Sequence, residues 1–199
     1  MTKTPLNLEK PVGCEAGWHR IETHYPYVNA PWFRIRQDHI RLPNGHERDY
    51  AYMEAHGAVW IVPVTPDGQV VLIRQYRYPV DDWCWELPAG GLHDHTGSLE
   101  ELARQELGQE IGATCEKIVY IDWFYGPTSS VNEVCHVMLA RGVHLNGATA
   151  HEETEMIEVH PMPMDEALAL ARGGAMKDGH SALVLLLCEP YLKEISHGR

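Results

Sequence analysis

The chain has 199 residues, 44% of them hydrophobic and 22% charged, enough for one globular domain with a true core. Its net charge of −12 excludes a nucleic-acid polymer as partner, because phosphate backbones require a basic face. Five scattered cysteines without a CxxC fit reduced thiols, and neither a secretory leader nor an apolar run long enough to span a bilayer is present, so a cytoplasmic location is expected.

Residues 1–31 are polar, rich in Pro and Gly and without period, and read as a poorly ordered N-terminal arm. From Trp32 the pattern turns strand-like. Residues 32–42 alternate, Pro43-Asn44-Gly45-His46 turns the chain, and Asp49–Glu54 returns, so 32–56 is expected to be an antiparallel β meander. Its Trp32, Phe33, Tyr50 and Tyr52 exceed what a strand pair can bury alone, which points to a homodimer contact. The main domain then occupies 57–199. Within it Gly57–Val64 is a buried strand, Thr65-Pro66-Asp67-Gly68 a turn, and Gln69–Tyr76 the returning strand, closed by Arg74 and Arg77.

The stretch Trp83–Gly112 organises the rest. An apolar strand end bends at Pro88-Ala89-Gly90-Gly91, a polar loop follows, and Ser98 with Glu101 forms a capping box at the start of a helix that Gly112 ends. Leu99, Leu102, Ala103, Glu106, Leu107 and Glu110 share one side of that helix. Two carboxylates thus stand one turn apart in the stripe that should be buried. Either they lie at its edge and reach water, or they hold a divalent cation, which prefers hard oxygen donors. Further on, 116–123 and 134–140 are strands around a loop ending in Glu133, and 142–151 is a loop. The acidic run Glu152–Glu155 precedes a last strand at 156–161, and helices cover 165–172 and 181–192. Strands interrupted by helices give an α/β or α+β fold. His93-Asp94-His95 could bind zinc but lacks a third ligand at suitable spacing and reads as a solvated loop; Cys84, Cys135 and His136 read as core.

Pro88-Ala89-Gly90 with Gln105-Glu106-Leu107-Gly108-Gln109-Glu110-Ile111-Gly112 resembles the Nudix box. Three positions depart from that pattern: Gly97 stands for the loop Glu, Gln105 for the Arg, and Gln109 for the first of the paired Glu residues. Positions 105 and 109 are i,i+4 neighbours, so a neutral Gln pair replaces an ion pair and removes one charge of each sign. The Leu72–Tyr78 strand, the Gly126-Pro127 loop and the Glu153-x-Glu155 element are similar to the ADP-ribose pyrophosphatase branch. This resemblance implies an α/β/α sandwich around a mixed sheet, a dimer, and Mg²⁺-dependent (or Mn²⁺-dependent) attack of water on the diphosphate of ADP-ribose or another nucleoside diphosphate sugar. It further implies that Glu106, Glu110, Glu155 and the Ala89 carbonyl hold metal and that Glu153 is the base. Arg77 would contact the pyrophosphate, Glu133 would sit beside the substrate or a metal-bound water, and Trp32 or Tyr125 could stack on a nucleobase. Gln109 cannot serve as base, since an amide accepts no proton at neutral pH. The three departures also allow another reading, a Nudix-fold module that binds a nucleotide-like ligand without turnover.

Overall fold

The computed structural model describes residues 16–93 and 95–196. The chain forms two compact units. One holds the described chain up to Ala58 with residues 91–93 and Trp123–Cys135; the other holds 59–90, 95–122 and the chain from His136 onward.

The first unit is built on an antiparallel sheet of β1 (His19–Asn29), β2 (Phe33–Arg41) and β3 (Glu47–Ala55), in that order. The meander expected from Trp32 is present, but β1 precedes it where the sequence suggested an unstructured arm. Residues 1–15 of that arm lie outside the described residues. The strand escaped detection because nearly all of it is exposed on both faces, so it has no hydrophobic period. Its Pro26 falls within a register shift between His24 and Tyr27, where a missing N–H costs no ladder bond.

Polar pairs hold this sheet where apolar packing is thin. Arg36 donates to Asp38 and Glu54, both at 2.9 Å, while Thr23 donates to Asp38 at 2.6 Å. Arg34 also pairs with Glu54. Asp38 is buried, and both donors meet its Oδ1. The outer edge of β3 is occupied as well. Met53 N–H donates to the Ser130 carbonyl at 2.8 Å, Asn132 N–H to the Met53 carbonyl at 3.3 Å, and Ala55 N–H to the Asn132 side-chain oxygen at 3.0 Å. The loop that ends in Glu133 is thereby laid along β3 as a short parallel bridge.

The larger sheet runs β10-β5-β4-β9-β8, with β6 added to β5 and β7 to β4. These strands are β4 (Ala58–Val64), β5 (Gln69–Arg77), β6 (Asp82–Glu86), β7 (Ala89–Gly91), β8 (Ala113–Tyr125), β9 (Val134–Leu145) and β10 (Ile157–Pro163). The helices are α1 (Leu99–Ile111), α2 (Met164–Arg172) and α3 (Gly179–Ser196). The α/β architecture with an N-terminal meander is the one expected. Val59, Ile61, Leu72, Leu107, Leu139 and Leu185 are fully buried, each stabilising by roughly 1.5–3 kcal/mol relative to exposure. Strand β9 continues five residues past Ala140 into what reads as loop. Gly142 makes this possible: it sits at φ +62°, and a Cβ there would lie 2.5 Å from the Glu116 carboxyl carbon. Asp178 starts α3 by accepting the Ser181 N–H at 2.8 Å.

Candidate active site

The site begins at Glu86–Gly90, a segment whose polar groups are met from several directions. The Leu87 N–H donates to Ser181 Oγ at 2.9 Å, and the Pro88 carbonyl accepts the Ile61 N–H at 2.9 Å. The Ala89 N–H donates to Glu110 Oε2 at 3.1 Å. A Cβ on Gly90 would fall 2.1 Å from the Glu106 carboxyl carbon, so the absent side chain is where Glu106 lies. Helix α1 aims both groups here because it begins as the sequence indicates. Ser98 accepts the Glu101 N–H at 3.2 Å, Glu101 accepts the Ser98 N–H at 2.7 Å, and Gly112 ends the helix at φ +60°. Leu102, Ala103 and Leu107 bury the same face and fix its rotation.

Burial bears on the two readings left open by periodicity. Glu110 is only 5% exposed, so its carboxylate does not sit at a solvated edge, and Glu106 is half-buried. Burial, then the neighbouring Glu106, raises the Glu110 carboxyl well above the ordinary range; the Ala89 N–H opposes this. Burial also pushes Glu106 up to about 7, with Glu155 and Glu152 adding to the rise. Helix and acidic loop therefore face each other. Their arrangement is one of hard oxygen donors whose mutual repulsion a divalent cation would relieve.

Within the loop, Glu155 Oε2 accepts the Glu152 N–H at 2.8 Å and the Glu155 N–H donates to the Glu152 carbonyl at 3.0 Å, closing a turn. Glu153 is exposed, with no hydrogen bond or ion pair among the described residues. Glu152 acts on Glu106 as well, because the segment is a turn and not extended chain, in which it would point opposite to Glu153 and Glu155.

Arg77 was expected as a substrate contact, and the structure gives it a partner that sequence reasoning missed. Its Nε and Nη2 donate to Glu86 at 2.8 and 2.5 Å, a fork-to-fork pair on a carboxylate 5% exposed. This bond, with Glu110 and Asp178 nearby, raises the Arg77 pKa further. Glu86 carried a signal in sequence, an acidic residue inside an apolar strand end.

Trp32, Tyr125 and Glu133 belong to the other unit. Trp32 is exposed and its ring lies 6.3 Å from that of His93; Tyr125, also exposed, meets Trp123 edge-on at 5.0 Å. The Glu133 carbonyl accepts the Gly126 N–H at 3.1 Å. His95, a candidate zinc ligand, has Nε2 2.8 Å from the Ser98 carbonyl; Asp94 lies outside the described residues. Cys135 and His136 are buried as core, whereas Cys84 is half-buried on β6.

Comparison with known proteins adds independent evidence. A family model described as NUDIX domain matches residues 54–182, and one described as nucleoside diphosphate sugar hydrolase N-terminal domain matches 18–53. The chain is 30% identical over 147 residues to an ADP-ribose pyrophosphatase of Bacillus subtilis (strain 168), covering 73% of this chain and 79% of the relative. It is 30% identical over 172 residues to a GDP-mannose pyrophosphatase of Yersinia enterocolitica, covering 79% and 88%. A crystal structure of an ADP compounds hydrolase superposes with a TM-score of 0.76 at 20% identity, over 92% of this chain and 96% of that one.

Proposed function

The chain belongs to the NUDIX domain family as a Nudix-type pyrophosphohydrolase, and from that premise we propose that it cleaves the diphosphate of a nucleoside diphosphate sugar, ADP-ribose first among them. One observation carries this reading: Glu106 and Glu110 lie against Ala89–Gly90 while Glu152 and Glu155 act on Glu106. The names of the relatives and the match of residues 18–53 to a nucleoside diphosphate sugar hydrolase module support the substrate class.

Glu106, Glu110, Glu155 and the Ala89 carbonyl would hold Mg²⁺ or Mn²⁺. When bound, such ions polarise the phosphates and neutralise charge developing on them. Glu153 takes the proton of the attacking water, as an exposed carboxylate with no hydrogen bond or ion pair among the described residues. Arg77 Nη1 lies outside the pair with Glu86 and is assigned to the pyrophosphate. Glu133 is assigned to the substrate and Trp32 or Tyr125 to the nucleobase, by resemblance and by the exposed rings.

A homodimer through the N-terminal sheet is part of this reading, supported by Tyr27 and Val28, which stand 55% and 57% exposed on β1. A monomer in sedimentation at micromolar concentration would remove it. Among the described residues no helix is long and apolar enough to cross a membrane, and a cytoplasmic location is proposed on the free cysteines.

A panel of nucleotide sugars with Mg²⁺ and phosphatase-coupled phosphate detection tests the reaction. ADP-ribose should be cleaved, and Glu153→Gln should lower kcat about a hundredfold or more. Binding without turnover across the panel would leave the ligand-binding module instead.

A further inference from the structure

Helix α1 ends without a basic residue in its last turn, so its terminal carbonyls need other donors. The segment before the acidic loop supplies them. Gly147 N–H donates to the Gly112 carbonyl at 2.8 Å, and Ala150 N–H to the Gln109 carbonyl at 2.8 Å. His151 Nε2 lies 2.8 Å from the Glu110 carbonyl oxygen. The approach is close: a Cβ on Gly112 would sit 2.4 Å from the Gly147 oxygen.

Glu110 is therefore a junction. Its side chain takes the Ala89 N–H and its main-chain oxygen takes the half-buried His151 ring. His151 is followed directly by Glu152, whose turn holds the Glu155 carboxylate. We propose that His151 is a positioning residue, tying the acidic loop to the carboxylate helix so that Glu152–Glu155 stay opposite Glu106 and Glu110. Both the neutral Nε2–H tautomer and the imidazolium can donate this bond, so the role needs no titration. The inference rests on the reading of Glu106 and Glu110 as metal-holding, and it adds the residue that sets their distance from the loop.

The test compares His151→Ala, His151→Gln and Glu106→Gln in the full chain. Mn²⁺ affinity is measured by electron paramagnetic resonance, amide exchange over 152–156 by mass spectrometry, and kcat and KM with ADP-ribose. His151→Ala should weaken Mn²⁺ binding about tenfold or more, the usual scale for a residue that orients ligands. It should also accelerate exchange in the loop and lower kcat with little change in KM. Gln, which keeps a side-chain N–H of similar reach, should restore most of each. Wild-type Mn²⁺ affinity and exchange in His151→Ala, or a Gln variant no better than Ala, would overturn the proposal. Mn²⁺ binding that survives Glu106→Gln would instead overturn the metal reading itself. Should His151→Ala fail to fold by circular dichroism, His151→Asn, too short to reach the carbonyl, takes its place with the same outcomes.

Discussion

Ala89 gives its N–H to Glu110 across a separation of twenty-one residues, 3.1 Å from nitrogen to carboxylate oxygen. A buried group that both accepts a structural hydrogen bond and repels its neighbour makes opposite demands on the metal-free and metal-bound protein. Glu110→Gln keeps an acceptor for Ala89 and removes the charge, so in EDTA it should melt higher than wild type. The same variant should lose the rise in Tm that Mg²⁺ gives wild type. Glu110→Ala leaves the Ala89 N–H unmet and should cost about 1–3 kcal/mol in urea unfolding. A Gln variant less stable than wild type in EDTA would contradict the burial argument.

Metal-free stability should fall as pH rises. Glu106 titrates in the folded chain at about 7 against an ordinary 4.5, so the folded state holds its proton more tightly than the unfolded chain. The contribution is full below the unfolded value and is lost as pH passes through 7. Glu110, shifted in the same direction, adds to the slope. Thermal melts in EDTA from pH 5 to 8 should show Tm decreasing, and saturating Mg²⁺ should flatten or reverse the trend.

Gly90→Ala should fold and work poorly. The added carbon meets only the flexible end of Glu106, which swings away, so Tm in EDTA should change little. The Mg²⁺-dependent shift in Tm should shrink and kcat/KM fall by about ten- to a hundredfold, by analogy with loss of a ligand-orienting contact.

Gly97→Glu, which would restore the acidic residue of the Nudix pattern, should bring no gain in turnover. A Cβ at 97 lies 2.5 Å from Glu101 Oε2 and 3.0 Å from His95 Nε2, so it displaces the partner of the capping box. Loss of that cap should cost about 0.5–2 kcal/mol. Higher kcat in the variant would show that the departure at 97 is a catalytic loss and not a packing choice.

Arg77→Ala leaves Glu86 unpaired. Because the arginine side chain is 47% exposed, the cost should be about 1–3 kcal/mol, below that of a fully buried pair. Lysine cannot replace the fork and should recover little. The double variant Arg77→Met with Glu86→Leu should regain much of the stability and none of the activity. Recovery of activity would confine Arg77 to a structural role.

Much of helix α1 was legible because its signals are local. Ser98, Glu101 and Gly112 mark its ends, and the period places Glu106 and Glu110 on the buried side. What stayed hidden depends on partners distant in sequence or on a conformation without a period. Nothing near Arg77 announces Glu86 as its mate: the β5–β6 register sets Arg77 opposite Asp82 and Glu86 opposite Ile73, so the side chains meet along the strands and not across them. The facing of Glu152 follows from a turn that strand alternation misreads. Strand β1 was hidden because a strand wetted on both faces looks like loop.

The bridge along β3 has a consequence for how this chain meets other chains. With Met53 and Ala55 N–H groups and the Met53 carbonyl already engaged by residues 130–132, that margin of the sheet offers no template there for a foreign strand. The loop that ends in Glu133 thus also acts as a selvedge, finishing the β3 margin at Met53–Ala55 against runaway growth.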